Sequence, residues 1–237
     1  MIDALDYLTI AGTADVYQTL LGRRVIDGRL RTRNIALTFD AGNEPLCAIV
    51  FATADLDKAA RLLARRAVEC KRVGGRLILS AQAAHGVPVA LGLVTTTALS
   101  PAIDADETSA VSALDHVVIR SPNPERAIAF YAGRLGLDLR LDRSNPAWGS
   151  RLLFFRCGDL VVEIAHDLAK GVSDGPDRLW GLSWRVPDIA KAHARMKAAG
   201  IDVSDVRDGR RPGSQVFTVK SHTEKVPTLI IGGIGRW

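Results

Sequence analysis

Residues 114–136, LDHVVIRSPNPERAIAFYAGRLG, run from a β-branched stretch into a helix. Leu114 to Ile119 reads as a strand. Pro124 falls in the first helical turn, apolar residues recur at 127/128, 131 and 135, and Gly136 supplies the stop. Three short strand candidates follow at 137–142 (LDLRLD), 151–157 (RLLFFRC) and 160–165 (LVVEIA), with turn residues between them. The stretch is one βαβββ unit. From Gly181 the order repeats. A strand, GLSWRV, leads to a helix opened by Pro187 and Asp188, running from Ile189 to Ala199 and stopped by Gly200. Strands near 201–206, 215–220 and 227–232 complete it.

The first half of the chain carries the same order. ALDY (4–7) parallels ALDH (113–116), and VYQTLLG (16–22) parallels FYAGRLG (130–136). ADLDKA (54–59) parallels PDIAKA (187–192), and GVPVAL (86–91) parallels KVPTLI (225–230). Between the halves, TTALSPAIDADETSAVS (96–112) is small, polar and locally acidic with no apolar period, and reads as a linker. The expected organisation is therefore an N-terminal domain over 1–96, a linker over 97–112 and a C-terminal domain over 113–237. Each domain is a pair of βαβββ units, in the α+β class.

Composition narrows the function classes. The 237 residues, 47% apolar and 24% charged, suit a packed soluble core and exclude extended disorder and coiled coils. A net charge of +5 suits anionic small molecules as well as nucleic acid. Lys58, Arg61, Arg65 and Arg66 form a basic helix without interleaved aromatics, which reads as a solvated face, so no nucleic-acid partner is expected. Cys47, Cys70 and Cys157 are odd in number and far apart, giving neither a disulfide framework nor a CxxC motif. With no secretory signal and no long apolar span, the reading is a cytoplasmic protein without a membrane partner. Nine of the thirteen aromatic residues and four of the five histidines lie after the linker, so the search for a site begins there.

The sequence resembles the vicinal oxygen chelate superfamily of glyoxalase I, bleomycin resistance proteins, methylmalonyl-CoA epimerase and extradiol dioxygenases. The resemblance rests on Leu114–Ile119, the Phe130-Tyr131…Leu135-Gly136 helix end, Val162-Glu163-Ile164, and Trp184–Ile189 leading into a helix that ends at Ile201. It implies paired βαβββ units curled into two partly open barrels, each around a cavity that often holds a divalent metal. Residues 1–95 match more weakly and imply a degenerate structural copy.

Carried over residue by residue, the resemblance places His116 and Glu163 at two metal-ligand positions. The other two positions hold Gly181 and Leu229, and Tyr7, Ala48 and Ala90 stand at ligand positions in the first domain. Two readings stay open. In one, His116, Glu163 and a third group hold Zn, Ni, Mn or Fe in a lyase, isomerase or dioxygenase-like enzyme, with Glu163 or His222 moving a proton. In the other, the cavity is metal-free and sequesters a small molecule, as in the bleomycin resistance branch. Arg120 and Arg185 share a register position and would meet an anionic ligand, or form structural ion pairs. Trp148, Trp180 and Phe154 would wall a pocket for an aromatic or aliphatic group. Trp184 faces the helix layer by parity, His193 reads as solvated, His85 as a turn residue, and His166 has the opposite strand parity from Glu163. Pairing of domains between chains would make a homodimer.

Overall fold

The computed structural model describes residues 2–94 and 105–233. Trp237 and the first half of the expected linker lie outside them. The elements in chain order are β1 (Ala4–Ala11), α1 (Ala14–Leu21), β2 (Val25–Ile26), β3 (Arg29–Arg31), β4 (Ala36–Asp40), β5 (Leu46–Thr53), α2 (Leu56–Arg65), β6 (Cys70–Val73), β7 (Arg76–Leu79) and β8 (Val89–Leu93). The second half adds β9 (Ala113–Arg120), α3 (Pro124–Ile128), β10 (Asp138–Asn145), β11 (Ser150–Cys157), β12 (Leu160–Asp167), β13 (Arg178–Arg185), α4 (Ile189–Ala198), β14 (Arg207–Asp208), β15 (Gln215–Val219) and β16 (Thr228–Gly232). This is the βαβββ order four times over.

Two eight-stranded mixed sheets result, ordered β2-β3-β4-β1-β5-β8-β7-β6 and β10-β11-β12-β9-β13-β16-β15-β14. Adding eight to each strand number of the first order reproduces the second, so the internal repeat of the sequence is also a repeat of topology. Neither sheet closes on itself, in keeping with partly open barrels. Within the second sheet β13 runs parallel to β16, with Ser183 opposite Leu229, and β11 runs antiparallel to β12, with Phe154 opposite Glu163.

Local chemistry explains the helix boundaries. Asp55, Asn123 and Asp188 each accept a hydrogen bond from the backbone amide three residues on, Lys58, Arg126 and Lys191, the usual N-cap arrangement. Thr13, ahead of α1, makes no such side-chain bond; its amide instead donates to Glu224 Oε1 at 3.3 Å. Gly136, with φ of 79°, stops the third helix in a left-handed turn that side chains disfavour. That helix departs from expectation in one respect. It begins as α-helix but continues as π-helix over Ala129–Arg134, a form found mostly as short insertions, often near functional sites.

Backbone contacts gather the chain into two compact units. The first comprises Met1–Asp6, Ala48–Thr96 and Val117–Trp180, the second Tyr7–Cys47, Thr97–His116 and Gly181–Trp237. Each unit thus draws segments from both halves of the chain. The first buries Phe51, Leu63, Phe130, Tyr131 and Phe155; the second buries Ile10, Tyr17, Leu20, Trp184 and Phe217. Part of the expected linker is packed rather than loose: Ala110 and Val111 are fully buried, and Arg23 Nε donates to the Val111 carbonyl at 2.7 Å. Among the described residues no helix is long and apolar enough to cross a membrane.

Candidate active site

The start of β9 is held from outside its own sheet order. The Asn34 side chain donates from Nδ2 to the Leu114 carbonyl at 2.8 Å, and its Oδ1 accepts from the Leu114 amide at 2.9 Å. One amide side chain thereby does what a neighbouring strand would do. Arg33 N donates to the Ser112 carbonyl, and Ser112 N donates to the Arg185 carbonyl at 2.8 Å. Residues 112–114 are fixed on both sides, and the next two residues carry the chemistry.

Asp115 is 2% exposed, yet both its oxygens are satisfied. Oδ1 accepts from Arg185 Nε at 2.7 Å, and Oδ2 lies 2.9 Å from His116 Nδ1. His116 Nε2 in turn lies 2.7 Å from the hydroxyl of Ser183. The four side chains form a continuous hydrogen-bonded chain, Arg185–Asp115–His116–Ser183, inside the second compact unit. Burial alone would raise the Asp115 carboxyl, but the hydrogen bonds from His116 and Arg185 and the charge of Arg185 outweigh it and hold it below the usual carboxylate value. An anionic Asp115 fixes the imidazole: Nδ1 donates to Asp115, leaving the Nε2 lone pair to accept from Ser183.

This arrangement revises the expected roles. Arg185, expected to meet a ligand anion, is 5% exposed and occupied with Asp115, the ion-pair alternative. Asp115 and Ser183 were not singled out from the sequence. The one signal available was the recurring Ala-Leu-Asp, at 4–6 and 113–115.

A divalent ion at this network would have one imidazole nitrogen to bind. With Nδ1 committed to Asp115, a metal would take Nε2, where the Ser183 hydroxyl already stands. Among the described residues no three His, Cys, Asp or Glu side chains form a group that could hold a metal. Glu163 is a half-buried residue of β12 in the first compact unit.

The remaining candidates are dispersed. His222 is exposed in the turn after β15, with Nδ1 2.9 Å from Ser221 Oγ, beside an open cavity of about 450 Å³ lined by Val16 and residues 220–225. Arg120 and Trp180 do come together: the guanidinium lies 4.1 Å from the centre of the indole, and Trp180 is 38% exposed. Trp148 is also exposed and stacks with Arg143 instead. Trp184 is fully buried, as its parity suggested, and among its polar atoms Nε1 has no hydrogen-bond partner. His193 is not simply solvated: Nε2 lies 3.0 Å from the Ser204 carbonyl and the ring packs edge-on against Phe217. His166 is buried, with Nδ1 3.1 Å from the Ser121 carbonyl, and His85 sits in a turn with positive φ.

Comparison with known proteins places this site in a family. Residues 115–218, which contain all four members of the chain, match the model of the Glyoxalase/Bleomycin resistance protein/Dioxygenase superfamily. That segment is similar to the superfamily's domain. A curated superfamily relative, the ethylmalonyl-CoA/methylmalonyl-CoA epimerase of Cereibacter sphaeroides, is 28% identical over 100 residues, covering 39% of this chain and 75% of the epimerase. Two solved structures share the fold over nearly the whole chain. A halotolerant catechol dioxygenase superposes with a TM-score of 0.71 at 16% identity, covering 100% of this chain and 89% of its own. A catechol 2,3-dioxygenase superposes with a TM-score of 0.69 at 20% identity, covering 99% and 89%. The similar proteins so named are enzymes, and the likeness to the dioxygenases is one of fold.

Proposed function

We propose that this chain is a small-molecule enzyme of the superfamily that transfers protons with His116 and needs no metal ion there. The observation that carries the reading is the hydrogen-bonded chain from Arg185 to Ser183. A histidine works as a base when its tautomer is fixed and the imidazolium it becomes is stabilised. Asp115 does both, and Arg185 keeps Asp115 anionic. The epimerase relative acts, by its name, on acyl thioesters whose chemistry turns on an acidic carbon–hydrogen bond. Such a substrate is the first to test: with the Ser183 hydroxyl turned aside, Nε2 takes the proton and returns it.

The test is deuterium incorporation at the α-carbon of methylmalonyl-CoA in D₂O, followed by NMR with chelator-treated protein. Exchange is expected without added metal, and His116→Gln should slow it by about 10²- to 10⁴-fold. Exchange that appears only when metal is restored, or that survives His116→Gln, overturns the reading.

A second reading, binding without turnover, is favoured by the Arg120–Trp180 pair. Its guanidinium stacks on an exposed indole and can present its edge to a carboxylate on a planar ligand. Saturable binding of aromatic carboxylates that is lost in Trp180→Ala, with no exchange chemistry, would select this reading.

A further inference from the structure

The neighbour of His116 Nε2 is a group with chemistry of its own. A serine hydroxyl is a weak nucleophile unless a base accepts its proton and a third group orients that base. Both conditions are met at Ser183: Oγ lies 2.7 Å from His116 Nε2, and Nδ1 lies 2.9 Å from the buried carboxylate of Asp115. Such a relay is defined by geometry and roles, not by spacing along the chain. Here the acid and base are consecutive on β9 and the hydroxyl comes from β13. Arg185 on the far oxygen of Asp115 keeps the carboxylate ionised, so the imidazolium formed during transfer has a counter-charge in place.

We propose that Ser183 accepts acyl groups from small activated esters and thioesters. The idea rests on the reading of His116 as a base. Ser183 Oγ attacks the carbonyl carbon, forming an ester bond as its proton passes to Nε2. The substrate's carbon–sulfur or carbon–oxygen bond then breaks, and the thiol or alcohol leaves with the proton from His116. Water, deprotonated by the same nitrogen, cleaves the acyl-serine and releases the carboxylic acid, and the imidazolium returns its proton to Ser183 Oγ. Ser183 is 3% exposed and the His116 side chain 15%, so the acyl group to test is short, acetyl rather than a long chain.

The experiment uses the full chain with p-nitrophenyl acetate and an acetyl thioester. The readouts are release of the leaving group and the intact mass, with peptide mapping of any adduct. The expected result is a burst of about one equivalent and one acetyl group mapped to Ser183. The adduct should be absent in Ser183→Ala and formed at least about 100-fold more slowly in His116→Gln. Ser183→Cys, which keeps a nucleophile at the same atom, should still acetylate there, so loss of signal in Ser183→Ala through misfolding would not mimic the result. No adduct on the wild-type chain, an adduct elsewhere, or acetylation at an unchanged rate in His116→Gln overturns the proposal. In the wild-type chain, α-proton exchange without acetylation would remove only the nucleophile; acetylation without exchange would remove only the carbon-acid reading.

Discussion

Two arginine–aspartate pairs with a buried carboxylate, one in each compact unit, share chemistry and differ in completeness. In the second unit, Asp115 uses both oxygens, one on Arg185 and one on His116, and the chain continues to Ser183. In the first unit, Asp177 is 1% exposed and accepts from Arg126 Nη2 at 2.7 Å, but its Oδ2 has no partner, nor have Arg126 Nε and the hydroxyl of Tyr131 nearby. Arg126 spends its other bonds on the Asp174 and Gly175 carbonyls, tying down a loop. A buried ion pair offsets its desolvation only when the remaining donors and acceptors are satisfied. The Arg126 pair therefore reads as a staple that tolerates orphaned atoms. The Arg185 pair continues through His116 to the Ser183 hydroxyl.

The largest expected effect tests that contrast directly. Asp115→Ala strands the buried Arg185 guanidinium and should cost about 3–5 kcal/mol in urea unfolding. Asp177→Ala should cost roughly half as much, because Arg126 is partly exposed and keeps two carbonyl partners. Equal losses, or the reverse order, would break the comparison.

Acid sensitivity should follow the same division. The Asp115 carboxyl is held lower in the folded protein than in the unfolded chain, where it titrates near about 3.9. Its contribution to stability is thus complete above that value and is lost as pH falls through the lower folded value. Asp115→Asn should flatten the decline of stability below about pH 4, read by thermal unfolding across a pH series.

The smallest effects sharpen the point about orphaned atoms. Tyr17 and Tyr131 are both fully buried, and burial raises both phenols, Tyr17 further in the presence of Glu224 and Tyr131 in that of Asp177. Only Tyr17 donates a hydrogen bond that accounts for its hydroxyl, to the Thr223 carbonyl at 3.0 Å. Tyr17→Phe should cost about 1 kcal/mol, whereas Tyr131→Phe should be neutral or slightly stabilising, since it removes a buried hydroxyl with no partner. A clear loss in Tyr131→Phe would mean the hydroxyl is satisfied in solution and the first unit's network is more complete than its geometry.

Several features could be read from the residues. The helix starts at Pro124 and after Asp188, the glycine stops and the strands at 151–157 and 160–165 are local signals, and the structure carries them close to where they were read. His116 was found by resemblance, but its partners were not. Neither Asp115 nor Ser183 was singled out, because each finds its partner on another strand. The turn of α3 into π-helix left no mark in an apolar period that fits either helix type.

By itself the sequence determined a fourfold βαβββ order, because apolar period, capping residues and turn glycines act within a few residues of one another. Which side chains meet was decided only by tertiary structure. Arg185 faces Asp115 and Ser183 faces His116 because β9 and β13 are neighbours in one sheet. A hydrogen bond between strands some seventy residues apart depends on register and twist, to within a few tenths of an ångström, and no short stretch of chain specifies either.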